Sequence, residues 1–77
     1  MDRRSKVIEI IKSVTRKETL PAADVSLFES GLLDSFALPD LVSALEQEFS
    51  IQIPDSDLNP RKFDSIERIE EYLDSRL

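Results

Sequence analysis

A chain of 77 residues with 40% apolar side chains makes a single domain, 1–77, because a domain this small buries only about 60% of its unfolded surface and leaves no room for a second core. Cysteine and histidine are both absent, which excludes disulfides, thiolate metal sites, Ser-His-Asp and Cys-His nucleophiles, and nearly all zinc chemistry. A net charge of −6 has the wrong sign for a protein that lives on phosphate backbones, and no apolar run approaches a membrane span. No nucleic-acid partner is expected. The opening MDRRSKVIEI lacks the apolar core of a secretory signal, so a soluble, cytoplasmic domain is the expectation.

From about Arg4 to Arg16, Val7, Ile8, Ile10, Ile11 and Val14 fall on one side of a 3.6-residue wheel, opposite Lys6, Glu9, Lys12, Ser13 and Arg16. The order does not alternate, so a strand fails and an amphipathic first helix is predicted. From Lys17 to Asp34 no period is sustained, and the stretch carries Pro21 and the only glycine, Gly31. Leu20, Val25, Leu27, Phe28, Leu32 and Leu33 would anchor it over a core, which predicts a long, ordered crossover between the first and second helices.

The second helix is expected from about Phe36 to Phe49. Leu38, Leu41, Val42, Leu45 and Phe49 span an arc of roughly 100°, with Asp40, Ser43 and Gln47 opposite. Pro39 fits only near a first turn, which makes Asp34 or Ser35 the natural N-cap. Ile51 and Ile53 follow, and Asp55 to Asn59 have room for one brief helical turn before Pro60. Asp64, three residues ahead of Glu67, reads as the cap of a last helix whose apolar side is Ile66, Ile69, Tyr72, Leu73 and Leu77. The fold predicted is all-α: a small four-helix bundle of three longer helices and one short one.

Two features bear on function. Residues 1 to 17 hold six basic and two acidic side chains, whereas the remainder holds four basic and fourteen acidic, with no Lys or Arg between Glu18 and Pro60. Such a surface is either a solubility device or a docking face that steers basic partners. Second, Ser35 lies where the long loop meets the second helix. Backbone N–H groups and the macrodipole favour a phosphate there, although on local physics alone a serine at that place is more often a cap than a modified residue.

The run Leu27-Phe28-Glu29-Ser30-Gly31-Leu32-Leu33-Asp34-Ser35-Phe36, with Leu41 to Phe49 and Ile53-Pro54 after it, resembles the acyl carrier proteins over almost the whole chain. The resemblance implies that Ser35 is esterified by 4′-phosphopantetheine, transferred from coenzyme A by a phosphopantetheinyl transferase, and that acyl or aminoacyl groups ride on its thiol as thioesters. Asp34 would help present the serine. A loading ligase and downstream acyl-processing enzymes would offer basic patches to the second helix, where Phe36, Asp40, Glu46, Gln47 and Glu48 are the candidate contacts.

Phe36 stands where fatty-acid carriers commonly have leucine. It is similar to the D-alanyl and other free-standing aminoacyl carriers, and with Pro39 and Gln47 it ranks a specialised carrier above the fatty-acid one. No catalytic residue and no metal site is expected. Without Cys or His the chain cannot make or cleave a thioester alone, so a monomeric carrier rather than an enzyme is the reading. The rival reading is an acidic helical interaction module in which Ser35 only caps a helix. Asp55-Ser56-Asp57-Leu58-Asn59 resembles the start of a calcium loop, but Pro60 and Ile66 occupy the positions that need Gly and Glu. The apolar faces are read as packing surfaces rather than as an acyl pocket.

Overall fold

The computed structural model describes residues 3–77; Met1 and Asp2, which open the stretch examined above for a signal core, lie outside the described residues. Its elements are α1 (Arg3–Thr15), α2 (Ala37–Phe49), a single 3-10 turn (Asp55–Asp57) and α3 (Ile66–Arg76), with no strand among the described residues. The brief turn expected within Asp55–Asn59 is this one, Asp55–Asp57. Asp57 N–H donates to the Pro54 carbonyl and Leu58 N–H to the Asp55 carbonyl, both within three residues.

The helix ends follow from local hydrogen bonding. α1 stops at Thr15 because Arg16 takes a left-handed conformation, φ 60°, while its N–H still donates to the Lys12 carbonyl at 2.7 Å. Ser50, φ 55°, ends α2 in the same way. At the start of α3 the cap is Ser65, one residue later than expected: its Oγ accepts from Arg68 N–H at 3.1 Å. Asp64 is used elsewhere. Its carboxylate accepts from Ser26 Oγ at 2.6 Å and its carbonyl from Leu27 N–H at 2.6 Å, which ties the long segment to the entry of α3.

α1 packs against both other helices. Ion pairs set the directions: Lys6 meets Glu48, Arg4 meets Glu70 and Arg3 meets Asp74. The beginning of α1 therefore lies beside the ends of α2 and α3, and α1 runs against both. The starts of α2 and α3 share one end of the bundle with the close of α1.

The core holds Val7 and Ile11 of α1, Leu38, Leu41, Val42 and Leu45 of α2, and Ile66, Ile69, Tyr72 and Leu73 of α3. Leu27, Leu33, Ile53 and Phe63 complete it from the connecting segments. Each such side chain contributes roughly 1.5–3 kcal/mol by burial. Two expected anchors stay at the surface: Val25 is 39% exposed, and Leu77, just past the end of α3, is 57% exposed.

Residues 16–36 connect α1 to α2 through consecutive turns. Leu32 and Leu33 N–H both donate to the Leu27 carbonyl, and Gly31 supplies φ 83°, a value that L side chains rarely adopt. Leu27 and Leu33 point into the core, so the segment enters α2 from a fixed point.

Candidate functional site

Leu33 is buried and Asp34, Ser35 and Phe36 are exposed, which marks the place where the chain leaves the core and turns into α2. Asp34 does the capping. Its Oδ1 accepts from Phe36 N–H at 2.9 Å and Ala37 N–H at 2.8 Å, and its carbonyl takes the first helical bond, from Leu38 N–H at 3.0 Å. The carboxylate is also favourable at the positive end of the helix.

Ser35 is not a cap. Its hydroxyl has no hydrogen-bond partner among the described residues and lies open to solvent. The rival assignment of this serine to a purely capping role therefore loses its basis, since Asp34 already holds the amides that a capping hydroxyl would take. Next to it Phe36 is 88% exposed, the most exposed large apolar side chain among the described residues. An aromatic left in water gains nothing for the fold.

The remaining candidates divide. Asp40 and Gln47 are exposed and without a side-chain partner among the described residues. Glu46 is half-buried, and its Oε2 accepts from Ile53 N–H at 2.7 Å, clamping the segment after α2 to the helix. Glu48 pairs with Lys6 at 3.2 Å. The acidic helix face is thus free near Ser35 and engaged at its far end.

That far end carries two features that periodicity did not single out. An open cleft of about 560 Å³ lies between the second half of α2, the segment Ile51–Pro54 and Arg76, whose guanidinium donates to the Gln52 carbonyl at 2.7 Å. Nearby, Tyr72 OH donates to Asp57 Oδ2 at 2.7 Å, and Lys62 donates to Asp57 Oδ1 at 2.9 Å while lying over the Tyr72 ring. The Lys62 and Tyr72 bonds hold the Asp57 carboxyl below its usual range, and burial, with the bond to Asp57, pushes the Tyr72 phenol up to about 12. Asp57 is therefore a structural anchor of α3.

The bundle presents an unpartnered, solvent-facing serine hydroxyl at the entry to α2, among the described residues. The chain matches the family model described as phosphopantetheine attachment site over residues 5–73, and it belongs to that family of carrier proteins. It is 37% identical to the D-alanyl carrier protein of Leuconostoc mesenteroides over 77% of this chain and 76% of that protein. Identity to the D-alanyl carrier protein of Streptococcus sanguinis is 32%, covering 92% of this chain and 90% of the relative. The Lactobacillus acidophilus D-alanyl carrier protein is 29% identical over 90% and 87% of the two chains. The protein carries acyl or aminoacyl groups as thioesters, and its prosthetic group is covalent 4′-phosphopantetheine. No described helix is long and apolar enough to cross a membrane.

The residues fit that group. A phosphodiester needs an accessible hydroxyl, and Ser35 offers one. When bound, the group supplies the thiol that a chain without cysteine lacks.

Proposed function

We propose that residues 1–77 form one carrier domain in which Ser35 is the attachment point, and that its cargo is a short aminoacyl group, with D-alanyl the leading candidate. The observation that carries the assignment is the free, solvent-facing Ser35 hydroxyl beside a neighbour, Asp34, that has taken over the capping bonds. The cargo class rests on the D-alanyl carrier relatives and on Phe36, at the place where fatty-acid carriers commonly have leucine. Asp34 holds the first turn of α2 still, so the hydroxyl meets the transferase in one orientation.

The partners in this reading are a phosphopantetheinyl transferase, an aminoacyl-loading ligase and an enzyme that removes the cargo, and the chain works as a cytoplasmic monomer without catalysis of its own. Phe36 is the apolar anchor, and Asp40 with Gln47 forms the polar rim, where an exposed charge tunes association rate more than final affinity. Glu46 and Glu48 contribute less to docking, because Glu46 is bonded to Ile53 N–H and Glu48 is paired with Lys6 at the surface.

Intact-protein mass spectrometry after incubation with coenzyme A and a broad-specificity transferase tests the assignment. The wild-type chain is expected to gain one phosphopantetheinyl unit and Ser35→Ala none, with the two melting at the same temperature. A folded wild type that stays unmodified by several such transferases overturns the reading.

A further inference from the structure

The cleft at the far end of α2 has no role in attachment, yet its position and lining relate it to Ser35. In a helix, residues four apart stack on one flank, so Pro39 and Ser43 follow one another along α2, Ser35 lies just before its first turn, and Glu46 continues the line into the cleft. Pro39 and Ser43 are exposed, leaving the flank uncovered. At 1.5 Å per residue, Ser35 to Glu46 spans about 17 Å. The fourteen or so bonds from a serine oxygen to the terminal sulfur of phosphopantetheine reach about 17 Å when extended, taking some 1.2 Å of advance per bond from standard bond lengths and angles.

The lining suits that chain's chemistry. Its outer part is two secondary amides joined by short methylene stretches, which calls for alternating hydrogen-bonding groups and small apolar surfaces. The Ser43 hydroxyl and the side-chain amides of Gln47 and Gln52 are without an intramolecular partner among the described residues, and all three residues are exposed. Ile51 and Pro54 supply the apolar wall. The wall is fixed on both sides, by the Glu46 bond to Ile53 N–H and by the Arg76 bond to the Gln52 carbonyl.

We infer that this cleft is a resting site for the outer half of the phosphopantetheine arm, in which Ser43, Gln47 and Gln52 hydrogen-bond its amides along the uncovered flank of α2. The inference rests on Ser35 being the attachment point. Its consequence is a second position for the thiol, laid against the carrier between visits to partner enzymes, rather than an arm that samples all directions equally.

The chain has no cysteine, so a thiol-reactive nitroxide attached to the holo-protein labels the arm alone. In a 15N-resolved NMR spectrum, Ser43, Gln47, Gln52 and Ile53 signals, including the side-chain amides of both glutamines, are expected to lose most of their intensity. Signals of α1 residues near Lys12 should keep theirs. Ser43→Ala with Gln52→Ala, both at exposed positions, should restore most of the lost intensity without altering modification of Ser35. Broadening that fades evenly with distance from Ser35 and ignores the double substitution overturns the resting site while leaving attachment intact. Failure to obtain holo-protein overturns both.

Discussion

The two ends of α2 are built from similar materials and treated in opposite ways. At its start, Asp34 is spent on two backbone amides, and Ser35, Phe36 and Asp40 are left without partners in water. At its close, Glu46 is clamped to Ile53 N–H, Glu48 is held by Lys6, and Arg76 reaches back to Gln52. Acidic side chains that look equivalent along one helix thus divide into a free end and a tied end holding the fold. A carrier needs that division. The attachment point must be approached by several enzymes, so the elements presenting it gain from being rigid without being covered.

Exchanging substitutions between the ends separates the two roles most sharply. Glu46→Ala leaves the Ile53 N–H half-buried without an acceptor and is expected to cost about 1–3 kcal/mol, read as a lower urea midpoint, with phosphopantetheinylation unchanged in extent. Glu46→Gln keeps an acceptor oxygen and should recover most of the loss. Phe36→Ala behaves in reverse. Its stability should stay within about 0.5 kcal/mol of wild type, while loading by the aminoacyl ligase slows. A stability loss with Phe36→Ala, or none with Glu46→Ala, would merge the two ends into one.

Much of this was legible in the sequence because it is periodic. Val7 and Ile11, Leu38 to Leu45, and Ile66 to Leu73 recur at helical spacing, and their burial follows. The Asp34-Ser35 junction was legible for another reason: Pro39 restricts where a helix can start, so the residues just upstream had to be the entry. Phe63 escaped notice because it sits in a turn segment with no period, yet it is fully buried against Tyr72 at 5.2 Å between ring centroids. Asp64 was misread as a cap since Asp and Ser compete for that role, and a bond from distant Ser26 decided in favour of Ser65. The intramolecular partners of Glu46 and Glu48 were not legible either. A carboxylate's charge is written in the chain, but whether a backbone amide or a lysine from another element already holds it is set by the packing.

The tied end also carries a pH signature. Tyr72 is buried and bonded to Asp57, with its folded pKa raised from 10.0 to about 12. Below pH 10 the phenol is neutral whether the chain is folded or not, and its contribution to stability is complete. As pH rises from 10 toward 12, the unfolded chain gives up the proton first and the contribution is lost. Asp57 runs the other way. With its folded pKa lowered, its contribution is present above the ordinary carboxylate value and lost as acid titrates it in the fold. Denaturant midpoints followed by circular dichroism should fall across the alkaline window for wild type, and Tyr72→Phe should flatten that fall.

The smallest effect expected distinguishes two charges on one helix. Glu48 and Asp40 are both exposed acids of α2, but Lys6 already neutralises Glu48 at short range. Removing Glu48 with Glu48→Gln costs a surface pair worth about 0.2–1 kcal/mol, an effect that salt screens away. Because the Glu48–Lys6 pair projects little net field, that substitution should barely change the association rate with a basic partner enzyme. Asp40 has no such counter-charge, so Asp40→Asn should leave stability alone and slow association at low ionic strength, the difference closing at high salt. Stopped-flow binding at two salt concentrations reads both. Equal slowing by the two substitutions would mean that the Lys6 pair opens on encounter, and the whole length of α2 would then act as the docking face.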